Sequence, residues 1–151
     1  MPEYTIITKG SEETEQIGEA LSSVLPPGAV VCLFGDLGSG KTTLIKGIGR
    51  GLGIAPEEIT SASFVIIAEH YGRLPLYHVD LYRVENPDAL EETGIYEYMP
   101  SDGITVIEWA ERLHDKGDCK ISIKIDELDY NMREITINGT EDFIKALKES
   151  L

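Results

Sequence analysis

The chain has 151 residues and carries Lys+Arg 13 against Asp+Glu 27, for a formal net charge of -14. That length suits one domain with a real core, and the acidic balance argues against broad contact with a bare phosphate backbone, which needs a basic face. A local cationic pocket remains compatible with it, as does docking to a basic protein surface.

Tyr4 to Thr8 reads as a short strand. Ser11 fits a helix N-cap with Glu12 and Glu13 in the first turn, and Ile17, Ala20, Leu21, Val24 and Leu25 follow at helical intervals. Pro26-Pro27-Gly28 ends that helix. A strand and helix ahead of the next segment could lie beside a bound adenine, or the helix could simply cover the sheet.

Ala29 to Phe34 is a continuous apolar run, as expected of a strand buried on both faces. It leads into Gly35-Asp36-Leu37-Gly38-Ser39-Gly40-Lys41-Thr42, followed by Thr43, and then Leu44, Ile45 and Ile48 at helical spacing. This is the G-x-x-x-x-G-K-[ST] phosphate-binding loop in its required context, strand before and helix after. Glycines let the backbone wrap so that successive N–H groups converge on phosphate oxygens, and the helix adds its positive end. Lys41 is expected at the β- and γ-phosphates, and the Thr42 hydroxyl on Mg²⁺.

Pro56 to Ile59 reads as one helical turn, Thr60 to Ser63 as a hydroxyl-rich loop, Phe64 to Ala68 as a strand and Glu69 to Arg73 as a turn. Ser61 or Ser63 could serve as a switch near the metal, or the segment could be an ordinary connection. Leu74 to Asp80 is the next strand, ending in an acid at the edge where the phosphate loop lies. Asn86-Pro87 starts a helix, and Tyr96, Tyr98 and Met99 suggest packing. Ile104 to Trp109 is a buried strand with the Walker B form, in which Glu108 would hold Mg²⁺ through water or polarise the attacking water. Asp80 competes for the same work. Trp109, the single tryptophan, is expected at the rim of the nucleotide site or in the core.

Cys119 to Asp126 and Arg133 to Asn138 alternate with period two around a turn at 128–131, an antiparallel hairpin for the sheet edge. Thr140 caps a last helix bearing Phe143, Ile144, Leu147 and Leu151. Cys32 and Cys119 lie in apolar, strand-like stretches and read as buried free thiols. No apolar run approaches the ~20 residues of a membrane span and no signal-peptide pattern opens the chain, so a cytoplasmic protein is expected.

Taken with the phosphate loop, His78-Val79-Asp80-Leu81-Tyr82-Arg83 and Ile107-Glu108-Trp109 make the chain resemble the TsaE (YjeE) family of small bacterial ATPases. The resemblance runs over essentially the whole chain. It implies an α/β, three-layer P-loop NTPase fold in a single domain over 1–151, with a mostly parallel central sheet and an antiparallel C-terminal hairpin at its edge. It further implies ATP/ADP with Mg²⁺, weak intrinsic ATP hydrolysis, action on a TsaB–TsaD complex, and a role in forming threonylcarbamoyladenosine at position 37 of tRNA, with tRNA contacted only indirectly. By motif, Lys41, Asp80 and Glu108 take the catalytic roles, and Thr42 and Glu108 take the metal. Nucleotide contacts fall to Ser11, Gly35, Gly38, Ser39, Gly40, Lys41, Thr42, Thr43, Trp109 and Arg133. One motif departs: Ser61-Ala62-Ser63-Phe64 stands where the family usually has S-P-T-[FY], which keeps a hydroxyl but loses the proline that stiffens the loop.

Two other classes fit parts of the pattern. One is a nucleotide-gated binding module whose occupancy, rather than turnover, sets a partner's state. The other is a small P-loop kinase, for which Arg83 and Arg112 are the only obvious lid arginines. No N-K-x-D guanine-reading motif follows the later strands, which disfavours a GTPase. Tyr82, Arg83 and the surrounding acidic surface could face a partner or simply be solvated.

Overall fold

The computed structural model describes residues 2–35, 40–59, 67–82, 102–113 and 119–151. The switch candidates Ser61 and Ser63, the loop residues Gly38 and Ser39, Arg83 and the expected helix after Asn86 lie outside these residues.

Among the described residues seven strands form one sheet: β1 (Glu3–Lys9), β2 (Val30–Phe34), β3 (Ile67–Tyr71), β4 (Pro75–Asp80), β5 (Ile104–Glu108), β6 (Ile121–Asp129) and β7 (Met132–Asn138). Their spatial order is β1-β7-β6-β2-β5-β4-β3. The four inner strands β6, β2, β5 and β4 run parallel, while β7, β1 and β3 attach antiparallel at the two margins. The expected hairpin is present, but β1 pairs outside β7 and forms the true edge. The N-terminal strand therefore forms this margin of the sheet. Of the strand expected over 64–68, positions 64–66 lie outside the described residues; the described part, β3, runs past the expected end to Tyr71, pairing with β4 from Ile67 opposite Val79 through Tyr71 opposite Pro75.

Period two along the buried strands sorts side chains between two apolar clusters. Val31 and Leu33 of β2, Leu76 of β4 and Val106 of β5 pack under three helices, α1 (Ser11–Val24), α2 (Lys41–Gly51) and α3 (Glu141–Ser150). Cys32, Val79 and Ile107 point to the other face, where Ala110 and Leu113 cover them. The architecture is thus mixed α/β in three layers. No helix among the described residues is long and apolar enough to cross a membrane.

Helices α1 and α2 cross at backbone contact. A Cβ on Gly47 would collide with the carbonyl of Glu15, and one on Gly18 with the carbonyl of Leu44. Glycine at both positions lets the helices approach closely, and this fixes the start of α2 against the start of α1. At the surface Arg50 of α2 pairs with Glu15 and Glu19 of α1. Helix α3 begins as its sequence predicts, with the Phe143 N–H donating to Thr140 Oγ1 at 3.1 Å.

Two expectations are corrected. Gly10 (φ 115°), not Ser11, is the N-cap of α1, and Ser11 is the first helical residue with no side-chain cap bond. Gly10 takes a backbone conformation that a side chain disfavours, which moves the boundary by one residue. The cysteines are not free thiols: Cys32 and Cys119 form a disulfide, with a Cα–Cα distance of 5.5 Å across a separation of 87 residues. The parallel pairing of β2 with β6 sets Cys32 opposite Ser122, so the chain entering β6 passes beside Cys32. No local pattern reveals that pairing.

Candidate functional site

Because β2, β4 and β5 run parallel, their C-terminal ends share one edge of the sheet. There Glu108 stands in register with Leu33 on one side and Asp80 on the other. His78, Asp80 and Glu108 share the strand parity of Leu76 and Val106, so they belong to the face that carries α2. All three are buried, as is Lys41 in the first turn of α2. Four ionisable groups gathered out of water need mutual compensation.

The compensation is visible in the contacts. The His78 Nε2–H donates to Glu108 Oε2 at 2.6 Å. The Tyr82 N–H donates to Asp80 Oδ1 at 2.9 Å, and the Leu81 N–H donates to the Glu108 carbonyl at 3.2 Å. Lys41 Nζ donates to the Gly35 carbonyl at 2.7 Å and lies 3.8 Å from the centroid of the Trp109 ring. Burial pushes the Asp80 carboxyl above its ordinary value, and the charge of Glu108 pushes in the same direction. The Tyr82 N–H, His78 and Lys41 pull against it. A carboxyl that holds its proton more tightly than usual, beside a second carboxylate, is what a proton-accepting group requires.

Trp109 follows β5 in a left-handed conformation (φ 58°, ψ 43°), which turns the chain into a single 3₁₀ turn, Ala110–Arg112. Its ring therefore reaches both Lys41 and the Tyr82 ring, whose centroid is 5.1 Å away. Arg112, a lid candidate by sequence, lies 5.9 Å from the Trp109 ring centroid instead.

The second wall is polar and open. A cleft of about 70 Å³ is lined by Gly10, Ser11, Thr14, Gly40, Thr43, Asn131 and Arg133. It forms where the start of α1, the N-cap of α2 and the turn between β6 and β7 converge. Gly40 is left-handed (φ 110°), and the Arg133 Nε would stand 3.5 Å from a Cβ placed there. Arg133 also donates from Nη1 to the Met132 carbonyl at 3.2 Å and lies 3.9 Å from Glu127 Oε1. Asn131 (φ 61°) makes the tight turn that brings Arg133 to the cleft. The first turn of α2, Lys41-Thr42-Thr43, carries no acidic residue, which leaves its positive end open to an anion.

Of the sequence-predicted residues, Ser11, Gly40, Thr43 and Arg133 thus line one cleft, while Lys41, Asp80, Glu108 and Trp109 gather at the strand ends next to it. Gly35 follows β2 and accepts from Lys41, and Thr42 occupies the first turn of α2. Residue-by-residue reading missed His78 as a site residue, although it stands in the quoted H-x-D motif at the two-residue offset from Asp80. It also missed Thr14, one helical turn after Ser11, and Asn131, for which a polar residue in a tight turn was the available signal.

Parallel strands ending in acids thus lie beside the start of α2, and comparison with known proteins narrows the class. The family model described as threonylcarbamoyl adenosine biosynthesis protein TsaE matches residues 8–135. The tRNA threonylcarbamoyladenosine biosynthesis protein TsaE of Bacillus subtilis is 38% identical over 146 residues, covering 95% of this chain and 90% of the relative. The protein of the same description from Treponema pallidum is 37% identical over 132 residues, covering 87% and 97%. The crystal structure of Bacillus subtilis YdiB superposes with a TM-score of 0.75 at 34% identity, covering 99% of this chain and 94% of that one. The chain belongs to the TsaE family, whose members serve threonylcarbamoyladenosine biosynthesis on tRNA.

Proposed function

We propose that the protein is a Mg²⁺-dependent ATPase that acts on a TsaB–TsaD pair and supports repeated rounds of threonylcarbamoyladenosine formation at position 37 of tRNA. One observation carries the reading: Lys41, buried at the start of α2, lies near enough to Asp80 for its charge to act on that carboxyl, and Asp80 stands in register with the buried Glu108 at the end of the adjacent parallel strand.

The donor set suits the metal. Thr42 offers a hydroxyl and Glu108 a carboxylate, both hard oxygen ligands, and Mg²⁺ commonly takes only one or two such groups with phosphates and water completing its shell. Fittingly, the described residues contain no cluster of three or more metal-binding side chains that would cage an ion alone. When bound, Mg²⁺ supplies charge neutralisation at the phosphates. The protein's own groups do the rest. Lys41 exchanges the Gly35 carbonyl and the Trp109 ring for phosphate oxygens. The N–H groups opening α2 and the Arg133 guanidinium hold the nucleotide from the cleft side. Asp80 orients the attacking water and accepts its proton.

The test is steady-state ATP hydrolysis with Mg²⁺, alone and with a TsaB–TsaD pair, with Lys41→Ala as the blank. Slow turnover that rises on adding the pair is expected. Tight ATP binding without that rise would favour gating by occupancy, and no binding would overturn the nucleotide reading itself.

A further inference from the structure

A buried imidazole needs a partner, and His78 has been given a specific one. On β4 it lies between the core residue Leu76 and the candidate base Asp80, and across the pair it faces Val106, an apolar neighbour. Its Nε2 reaches diagonally past Val106 to Glu108 Oε2 at 2.6 Å, and both side chains are shielded from solvent. A carboxylate only accepts, so the hydrogen sits on Nε2. The bond occupies Oε2 and fixes the plane of the carboxylate, while Oε1 carries no bond to His78.

We propose that His78 is the positioning residue of Glu108: by holding Oε2 it presents Oε1 toward the metal and phosphates bound at the end of β5. This rests on the nucleotide reading above and adds to it a residue that touches neither nucleotide nor metal. The geometry favours positioning over simple stabilisation of the core. An apolar residue at 78 would pack against Leu76 and Val106 without importing a polar group, and buried ion pairs often contribute less stability than such packing. Groups behind a metal's own ligands commonly set its affinity by about 10- to 100-fold.

The experiment measures Mn²⁺ binding to the protein–ADP complex by electron paramagnetic resonance, and ADP binding in EDTA by calorimetry. The variants are His78→Leu, which removes the donor, His78→Gln, whose amide reaches about as far as Nε2, and His78→Asn, which is too short. We expect His78→Leu and His78→Asn to weaken Mn²⁺ by about tenfold or more. ADP affinity in EDTA should change less than about twofold, and His78→Gln should recover most of the Mn²⁺ affinity. Should His78→Leu fail to fold, the Gln–Asn pair carries the same contrast. Unchanged Mn²⁺ affinity in His78→Leu and His78→Asn would overturn the proposal. So would an equal loss of Mn²⁺ and metal-free ADP binding that Gln does not rescue, since that pattern marks a structural role. Absence of ADP binding by the wild-type protein would instead overturn the nucleotide reading, and this inference with it.

Discussion

Gly40 and Lys41 are consecutive in the chain, yet they belong to two different walls. Lys41 joins His78, Asp80 and Glu108 in a buried ionic wall whose members are at most 9% exposed. Gly40 joins Ser11, Thr43, Asn131 and Arg133 around a small open cleft. The first wall is built by parallel strands ending at one edge, so its spacing is set by sheet register. The second is built by a turn and two helix starts, so its spacing depends on where the antiparallel margin places β7. Buried charges act strongly and tolerate little change, whereas a partly exposed arginine contributes affinity through one or two contacts. Under the proposed function, chemistry belongs to the buried wall and grip to the open one.

The largest expected effect probes what holds the buried wall in place. The Cys32–Cys119 bond ties the strand leading to Gly35 to the chain entering β6, in the same cluster that Trp109 packs against. Closing a loop of 87 residues restricts the unfolded chain, and such bonds contribute ~2–4 kcal/mol. Reduction, or Cys119→Ser, should lower the melting temperature by roughly 5–15 °C. Thermal melts with and without dithiothreitol check this, and an unshifted melt would mean the wall stands without the bond. A smaller effect isolates the cleft. Arg133→Ala should weaken ADP by about tenfold in EDTA, the scale of one hydrogen bond to a charged group, and leave Mn²⁺ affinity of the ADP complex unchanged. Loss of both together would erase the distinction between the walls.

The buried wall was largely legible in the sequence because its determinants are local. An apolar run, a terminal acid and a glycine-rich turn each carry their meaning within a few residues, and Asp80 and Glu108 share an edge once their strands are taken as parallel. The cleft was legible only through family resemblance. Nothing near Arg133 says that β7 lies between β1 and β6, and that order is what carries its side chain to Gly40. The disulfide escaped for the same reason, since Cys32 and Cys119 meet only through the β2–β6 pair. Gly18 and Gly47 carry no local sign of their use, which appears only where two helix backbones touch. The left-handed turn at Trp109, expected at the rim of the site or in the core, runs against the preference of a bulky residue, and it sets the ring against Lys41.

The smallest expected effect separates the edge of the sheet from the wall beside it. Burial pushes the His70 imidazole on β3 below its ordinary value of 6.5, and His78 adds to this while Glu58 opposes it. The native state therefore resists a proton that the unfolded chain accepts. Stability from neutral His70 is fully present above 6.5 and declines as pH falls from there through the lower native value. Asp80 has the opposite sign. Its carboxyl is raised above 3.8, so the native state holds a proton that the unfolded chain releases, and stability falls as pH rises from 3.8 through the native value. Denaturant midpoints across pH 5–8, a range set around the unperturbed imidazole value of about 6.5, resolve the two for wild type and His70→Gln. The variant should lose the decline on acidification below 6.5 and keep its nucleotide affinity. A decline that persists in His70→Gln would assign the acid sensitivity to other groups and leave the sheet margin titrating silently beside the ionic wall.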